Sequence, residues 1–323
     1  MSMPELFRGR LSVPVIAAPM FIVSRPELVI AQCRAGVVGA FPSLNARPSG
    51  TLEQWLQQLR RELTADDAPF AVNLIVHKTN PRLQEDLDLV VKYQVPVVIS
   101  SLGAVREVNE AVHSYGGVVF HDVINDEFAH KAIERGADGL VAVAAGAGGH
   151  AGTLSPFALV QEIREWFSGP LALSGCIANG NAIAAARAMG ADLAYIGSAF
   201  IATEEAHADE AYKQMIVEGA SQDIIYTSQF TGVFGNYLLP SIVAAGIDPA
   251  TLTTAGASTM RMMEKVEKVE KAEKAGGDAK AWRDVWGAGQ GIGAVKQVVP
   301  AAKLIERLAT EYKAALARLA SEG

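Results

Sequence analysis

The feature that most constrains this chain is a repeated pair of segments, a short apolar run followed by a stretch with apolar residues at helical spacing. The runs lack the polar alternation of a half-exposed strand, so they predict strands buried on both faces of a parallel sheet. Roughly eight such runs, each followed by a predicted helix or loop, occur before residue 200. The predicted strands cover residues 13–17, 37–41, 70–76, 95–100, 117–121, 140–143, 171–174 and 193–197.

Strands and helices in this alternation close most naturally into an α/β fold of the (β/α)8 TIM barrel type. An open doubly wound sheet is the alternative, but its Gly-x-Gly-x-x-Gly loop does not follow the first strand. The pattern changes after residue 205. We therefore expect a barrel formed by residues 1–205 and 287–323, with a smaller, mostly helical lid domain, residues 206–286, inserted before the C-terminal helix.

The composition and net charge of the chain argue against several classes of binding partner. Half of the residues are hydrophobic, yet no apolar run approaches the roughly 20 residues that span a bilayer. Residues 1–10 lack the pattern of a secretory signal. The 28 basic and 35 acidic residues give a net charge of −7 and are interspersed, which argues against nucleic acid as a partner. We expect a cytoplasmic protein that binds a small molecule, and composition leaves a homo-oligomer open.

The site of a TIM barrel lies at the carboxyl ends of its strands. In this chain those ends carry a set of polar or reactive residues: Met20, Asn73, Ser100, Ser101, His121, Asp122, His150, Ser174, Gly197 and Ser198. Taken singly, Asn73 and Ser100 are equally explained as loop caps, and His121 with Asp122 as a hydrogen-bonded rim pair. Their joint placement at one mouth favours a functional site.

A glycine-rich stretch, residues 144–153, follows the sixth predicted strand. Its glycines let the backbone approach a flat or bulky group, and His150 is the one side chain with reach. A polar loop histidine without further role is the alternative interpretation. The position of the stretch at the barrel mouth favours His150 as the chemically active group.

The seventh and eighth strands end in Ser174-Gly175 and Gly197-Ser198. Loops after these two strands commonly hold a phosphate in TIM barrels. Backbone N–H groups there need no lysine, because the start of a helix, as at Asn179-Gly180, supplies positive potential. Glycines that only allow close packing are the alternative. A phosphate site beside a glycine-lined floor suggests a phosphorylated planar cofactor.

The remaining signals are weaker. Cys33 and Cys176 imply neither a disulfide framework nor a metal site. Cys176 follows Ser174-Gly175, so a place near a ligand stays open, but we expect a small buried apolar side chain. Residues 227–237 are polar and aromatic, which is typical of a lid. Residues 259–275 alternate Glu and Lys at helical spacing and predict a solvated helix.

Several of these elements together resemble the nitronate monooxygenase family, formerly called 2-nitropropane dioxygenases. The resemblance rests, in chain order, on Ala18-Pro19-Met20, the Asn73 strand, Gly148-Gly149-His150-Ala151-Gly152, Ser174-Gly175, Gly197-Ser198 and Gly289-Gln290-Gly291-Ile292-Gly293. The Gly-Gly-His-Ala-Gly element combined with the late Gly-Gln-Gly loop is the more specific part. The resemblance extends over nearly the whole chain.

The resemblance implies a noncovalent FMN on a TIM barrel and oxidation of alkyl nitronates by oxygen to a carbonyl compound and nitrite. It implies that His150 faces the substrate and, as a neutral imidazole, can remove the α-proton of a nitroalkane. The residues expected to bind the cofactor are Ala18, Pro19, Met20, Asn73, Ser100, Asp122, Gly149, Ser174, Gly175, Gly197, Ser198, Gln290 and Gly291. Those expected near the substrate are His121, Phe230 and Asn236, and no metal is expected.

Two other functions stay open at this point. Relatives with this fold include NAD(P)H-dependent flavin reductases of quinones or enoyl thioesters, which share the flavin floor and the histidine. A flavin-free barrel that binds a sugar phosphate is the second alternative, although the strand ends offer no lysine for a Schiff base and no paired carboxylates.

Overall fold

The computed structural model describes residues 3–252 and 283–321. Its strands are β1 Val15–Ala17, β2 Gly39–Pro42, β3 Phe70–Ile75, β4 Val97–Ser101, β5 Val118–Val123, β6 Gly139–Val143, β7 Gly149–His150, β8 Leu171–Ser174, β9 Leu193–Ile196, β10 Ile224–Thr227 and β11 Gly235–Leu238. Its helices are α1 Pro26–Arg34, α2 Thr51–Glu62, α3 Leu83–Lys92, α4 Arg106–His113, α5 Asp126–Glu134, α6 Pro156–Arg164, α7 Gly180–Met189, α8 Ser198–Ile201, α9 Glu210–Glu218, α10 Leu239–Ala244 and α11 Ala301–Ser321.

Eight strands form one parallel sheet in the order β1-β9-β8-β6-β5-β4-β3-β2. A parallel bridge between Ile16 and Val38 joins β1 to β2, so the sheet closes into a barrel. The eight predicted strands and the TIM barrel fold are confirmed. The sequence patterns also predict helices over residues 26–34, 52–63, 83–93, 105–114, 126–135, 157–166 and 182–189, and α1 to α7 begin and end within two residues of these segments.

Side chains alternate between the inside and the outside of the barrel, as the pleat of a strand requires. The inward set forms one buried cluster: Phe7, Ile16, Val38, Ala40, Ala71, Val97, Ile99, Phe120, Val141, Ala172, Leu193 and Tyr195. Phe7 comes from the N-terminal 3-10 turn Glu5–Phe7 and stacks on Phe120 with 6.2 Å between ring centroids. Because the side chains of this cluster fill the interior of the barrel, the space for a ligand lies at the carboxyl ends of the strands.

The segment after the barrel strands adds a second sheet that the sequence patterns did not predict. Strands β10 and β11 form an antiparallel hairpin, and β11 also pairs with β7, the short strand that contains His150. Helices α9 and α10 flank this hairpin in the chain. The charged helix expected at residues 259–275 lies outside the described residues.

The C-terminal helix α11 packs on the barrel against α7 and α1, as expected. Its buried face carries apolar residues at helical spacing, including Leu304, Ile305 and Leu308. Within the two described ranges, no helix combines the length and apolar character that crossing a bilayer requires.

Candidate active site

A cavity of about 480 Å³ lies at the carboxyl ends of the barrel strands. Its wall includes residues from the loops after β1, β2, β6, β8 and β9, and from residues 287–291 near the C-terminal helix. Twelve of the predicted site residues line it together: Ala18, Pro19, Met20, Asn73, Asp122, Gly149, His150, Ser174, Gly175, Gly197, Ser198 and Gly291. The roles assigned to them stay predictions, but the fold brings these distant positions to one space.

The Asn45 side chain bridges several backbone groups of the loop after β1. Its Oδ1 accepts from the N–H of Ile22 at 2.9 Å, and its Nδ2 donates to the carbonyls of Met20 and Ser24 at 3.0 and 2.8 Å. Ile22 has φ of 68°, a conformation that is costly for a β-branched residue unless its surroundings impose it. This clamp fixes Pro19 and Met20 at the cavity wall.

The floor of the cavity carries a chain of hydrogen bonds across three barrel strands. Nδ2 of Asn73 donates to the Ser101 hydroxyl at 2.7 Å and to the Ile99 carbonyl at 3.0 Å. The Ser101 hydroxyl donates to Oδ2 of Asp122 at 2.5 Å. With both hydrogens of Nδ2 used, Asn73 keeps its Oδ1 as an acceptor for a ligand.

Burial raises the pKa of Asp122 to about 6, and the Ser101 hydrogen bond opposes the rise only in part. Tyr195 shares the floor, and burial followed by the nearby Asp122 charge raises the pKa of its phenol. Near neutral pH the floor therefore holds a neutral phenol, a neutral amide and a carboxyl group that is mostly ionised, since the pH lies above its pKa. These groups can hydrogen-bond the polar edge of a ring.

The loops after β8 and β9 present backbone donors to the cavity. The N–H groups of Gly175, Cys176 and Gly197 find no acceptor within residues 3–252 and 283–321, and all three residues line the cavity. Unpaired N–H groups around a concavity are a common way to bind an anion such as phosphate. An added Cβ at Gly197 would lie 3.4 Å from the Cβ of Ala18, so this glycine leaves room beside the donors.

One part of the phosphate prediction is wrong. The start of α7 does not face the cavity, because the Glu311 carboxylate of α11 accepts from the N–H of Gly180 at 2.8 Å. The side chain of Asn179 caps the same helix by accepting from the N–H of Ala182. Helix packing against α11 therefore uses this N-terminus, and the cavity donors come from the segments that follow β8 and β9 directly.

His150 is held over the opposite side of the cavity by the hairpin. Its backbone pairs with Gly235, and its Nε2 lies 3.0 Å from Oγ1 of Thr231. His150 is exposed and is one of the residues that line the cavity, and desolvation by the surrounding protein lowers the pKa of its imidazole to about 4. At neutral pH the imidazole is uncharged, as a proton acceptor must be.

The hairpin reaches His150 through close backbone contact. Gly235 has to be glycine, because an added Cβ would lie 2.8 Å from the carbonyl oxygen of Gly149. Asn236, expected near the substrate, is buried and donates its Nδ2 to the carbonyl of Ala147 at 2.6 Å. Phe230, also expected near the substrate, packs edge-on against Tyr237 at 5.0 Å. Both residues support the His150 loop from behind instead of lining the cavity.

Two other expected site residues lie outside the barrel. Ser100 and His121 are one position out of register with the inward-facing residues Ser101 and Asp122. His121 is buried against α4, with its Nε2 3.1 Å from Oδ1 of Asn109, and burial lowers its pKa to about 4. The expectation that these two side chains reach ligand is therefore wrong, since strand alternation turns them away.

The glycine-rich loops 146–149 and 287–293 pack against each other beside the cavity. Gly148 and Gly289 are in such close contact that an added Cβ at Gly148 would lie 2.7 Å from the nitrogen of Gly289. The N–H of Gln290 donates to the carbonyl of Gly146 at 2.9 Å. Gln290 itself is exposed, so its backbone fastens the loops while Gly291 supplies the wall.

The structure adds wall residues that the sequence patterns missed or misassigned. Cys176 is exposed to the cavity with φ of 58°, which corrects the expectation of a buried side chain. Tyr195 and Arg47 also line the wall. Strand alternation could have found Tyr195, two residues before Gly197, whereas no local pattern points to Arg47. Within the described ranges, no cluster of acidic, His and Cys side chains is arranged to hold a metal ion.

Known proteins match this chain over most of its length. A family model described as "Nitronate monooxygenase" matches residues 8–311. The chain is 26% identical over 286 residues to a nitronate monooxygenase of Paraburkholderia phytofirmans, covering 73% of this chain and 76% of that protein. FabK from Thermotoga maritima superposes with a TM-score of 0.80 at 25% identity over 99% of this chain and 98% of FabK. A nitroalkane oxidase from Streptomyces ansochromogenes superposes with a TM-score of 0.77 at 26% identity, over 98% of this chain and 100% of that protein.

Proposed function

Because the chain belongs to the nitronate monooxygenase family of flavin-dependent oxidoreductases, we propose that it oxidises alkyl nitronates with oxygen to a carbonyl compound and nitrite. Nitroalkanes become substrates once an α-proton has been removed. The observation that carries this proposal is the joint placement of an uncharged imidazole and a set of unpaired backbone donors on one cavity. The family match also argues against the flavin-free phosphate barrel.

FMN fits the residues of this cavity as the flavin. The backbone N–H groups of Gly175, Cys176 and Gly197 would bind its phosphate, and Oδ1 of Asn73 would accept from a ring N–H. Met20 would pack against the ring. Bound FMN supplies the electron acceptor for nitronate oxidation and passes the electrons to oxygen. The glycine-lined wall and the polar floor would hold this group between them.

His150 would act on the substrate side. The carbon bonded to a nitro group carries an acidic hydrogen that a neutral base can remove. His150 can serve as this base, because it is uncharged near neutral pH. After the proton transfer, the imidazolium lies beside the new nitronate anion and stabilises it. We propose that residues 206–286 form the lid over this side, with the hairpin as the part that positions His150.

The first test is the visible absorption spectrum of the purified protein, with the cofactor identified after its release by heat. We expect an oxidised flavin spectrum and released FMN. Ethylnitronate added under anaerobic conditions should bleach the spectrum, and admission of oxygen should restore it and yield nitrite. A colourless protein that takes up no added FMN would contradict the cofactor assignment.

An NAD(P)H-dependent reductase is the second candidate, because the likeness to FabK is as strong as the likeness to the nitroalkane oxidase. A parallel anaerobic sample with NADH or NADPH separates the two functions. Rapid bleaching by the nicotinamide and none by ethylnitronate would replace the proposed function by the reductase. We expect the reverse result.

The role of His150 is tested with His150→Asn, which keeps a polar side chain of similar size. We expect normal FMN content and a loss of roughly 100-fold or more in kcat/KM for a neutral nitroalkane, with a smaller loss for preformed nitronate. His113→Asn is the control, because His113 pairs with Asp138 away from the cavity. Equal losses on both substrates would remove proton abstraction from the role of His150.

A further inference from the structure

Residues 286–291, which we call the strap, contact both segments that carry the proposed phosphate donors. The N–H of Gly289 donates to Oγ of Ser198, the residue after the donor Gly197, at 2.9 Å. An added Cβ at Gly291 would lie 2.8 Å from the carbonyl carbon of Cys176. The strap therefore packs directly on the backbone that follows β8 and is hydrogen-bonded to the segment that follows β9.

The strap is also bonded to the elements that hold His150. The N–H of Gln290 donates to the carbonyl of Gly146, at the start of the His150 loop, at 2.9 Å. The N–H of Leu238, in β11, donates to the carbonyl of Trp286 at 2.7 Å. Because β11 pairs with β7, which contains His150, the strap connects the phosphate donors to the histidine through backbone hydrogen bonds.

One donor segment has a conformation that its own residues do not favour. Cys176 has φ of 58°, a left-handed value that is unfavourable for a residue with a Cβ unless its surroundings impose it. The strap supplies part of these surroundings, because Gly291 lies against the Cys176 backbone with no room for a side chain. An anion bound to the N–H of Cys176 would stabilise the same conformation. Anion binding and strap packing therefore favour each other.

We propose that a phosphate group on the donors after β8 and β9 holds the strap in place, and that the strap in turn holds the His150 loop and the hairpin. The phosphate site then positions the imidazole as well as anchoring the cofactor. Ser198 is a positioning residue in this link, because its Oγ accepts from the strap and keeps its hydrogen to donate to an anion. This inference rests on the proposed FMN site and on the proposed role of His150.

The test compares the protein loaded with FMN and the protein loaded with riboflavin, which has the same ring and no phosphate. Hydrogen exchange followed by mass spectrometry reports how often the backbone hydrogen bonds of each segment open. We expect exchange in residues 144–150 and 235–238 to be roughly fivefold slower with FMN. Inorganic phosphate added to the riboflavin-loaded protein, or to the apoprotein if riboflavin does not bind, should produce part of this slowing. Helix α3, which forms no part of the cavity wall, is the internal control.

The Ser198→Ala variant removes the side-chain bond between the donor segment and the strap. At saturating FMN we expect it to show a flavin spectrum, while exchange in residues 144–150 becomes roughly threefold faster than in the natural protein. Ser114→Ala is the matched control, because this exposed hydroxyl donates to the Ala111 carbonyl at the end of α4. Its exchange in residues 144–150 should equal that of the natural protein.

Two results would overturn the inference while leaving the proposed function intact. One is protection by FMN or phosphate that stops at residues 174–177 and 197–198, with equal exchange in the His150 loop whether or not a phosphate is bound. The other is unchanged exchange of that loop in FMN-loaded Ser198→Ala. Failure of the natural protein to bind FMN would instead overturn the proposed function.

Discussion

The floor and the roof of the cavity are built in different ways. The floor consists of inward-facing residues at the ends of neighbouring barrel strands, such as Asn73, Ser101 and Asp122, joined by short hydrogen bonds. The roof consists of the His150 loop and the β10–β11 hairpin, segments about 80 residues apart in the chain that meet through backbone contact. We infer that the floor serves the cofactor and the roof serves proton transfer, so changes on each side should separate the two functions.

The largest effect is expected from Gly235→Val in the roof. The new side chain would strike the carbonyl of Gly149 and force β11 away from His150. A displacement of about 1 Å at a catalytic group costs on the order of 100-fold in rate. We expect that loss in kcat/KM for nitroalkane with FMN content at least half of normal, measured by steady-state kinetics and absorbance. Loss of FMN in proportion to activity would remove the distinction between floor and roof.

The matching change in the floor is Gly197→Val. The atoms nearest to an added Cβ at Gly197 belong to the side chains of Ala18 and Met20, at 3.4 Å or more, so the protein should fold while the valine enters the cofactor space. We expect FMN affinity to fall roughly tenfold, measured by titration of the apoprotein. Gly293→Val is the control, because its Cβ would meet only Ala220 at 3.8 Å. Normal FMN affinity would place the phosphate elsewhere.

A smaller effect is expected from Asn236→Ala, which loosens the roof without touching the cavity. The buried carbonyl of Ala147 would lose its donor at 2.6 Å, which costs about 1–3 kcal/mol in the free energy of unfolding. Urea unfolding of the FMN-loaded protein measures this loss. Asn181→Ala, which changes an exposed contact with Arg318, should cost less than about 0.5 kcal/mol. Equal stability of the two variants would mean that the hydrogen bond from Asn236 to the Ala147 carbonyl contributes nothing to the free energy of unfolding.

The smallest effect concerns the charge on the floor. The pKa of Asp122 is raised to about 6 by burial, so its carboxyl group becomes negative as the pH rises through that value. A negative floor opposes an anionic nitronate, and KM for ethylnitronate should rise roughly threefold between about pH 5 and pH 7. In Asp122→Asn this rise should disappear, whereas the exposed Asp88→Asn should keep it. A rise that persists in Asp122→Asn would assign the titration to another group.

Sequence reasoning located most of the floor and little of the roof. Apolar runs marked the barrel strands, and the rule that sites lie at strand ends correctly grouped Asn73, Asp122 and Gly197 at one cavity. The same rule placed Ser100 and His121 there as well, because the runs showed where strands end but not which alternate residues face inward. The hairpin strands are only four residues long, and β10 is half-buried while β11 is buried, so residues 224–238 showed a polar and aromatic composition without a clear strand pattern.

What the sequence determined by itself is the barrel and the positions of its glycine-rich loops, since both follow from local patterns of burial and backbone freedom. Only the tertiary structure decided which side chains meet. The contact of Thr231 with His150 and the closure of the α7 N-terminus by Glu311 join residues 81 and 131 positions apart. No local pattern encodes such pairs, because their energy exists only when packing has brought the two segments together.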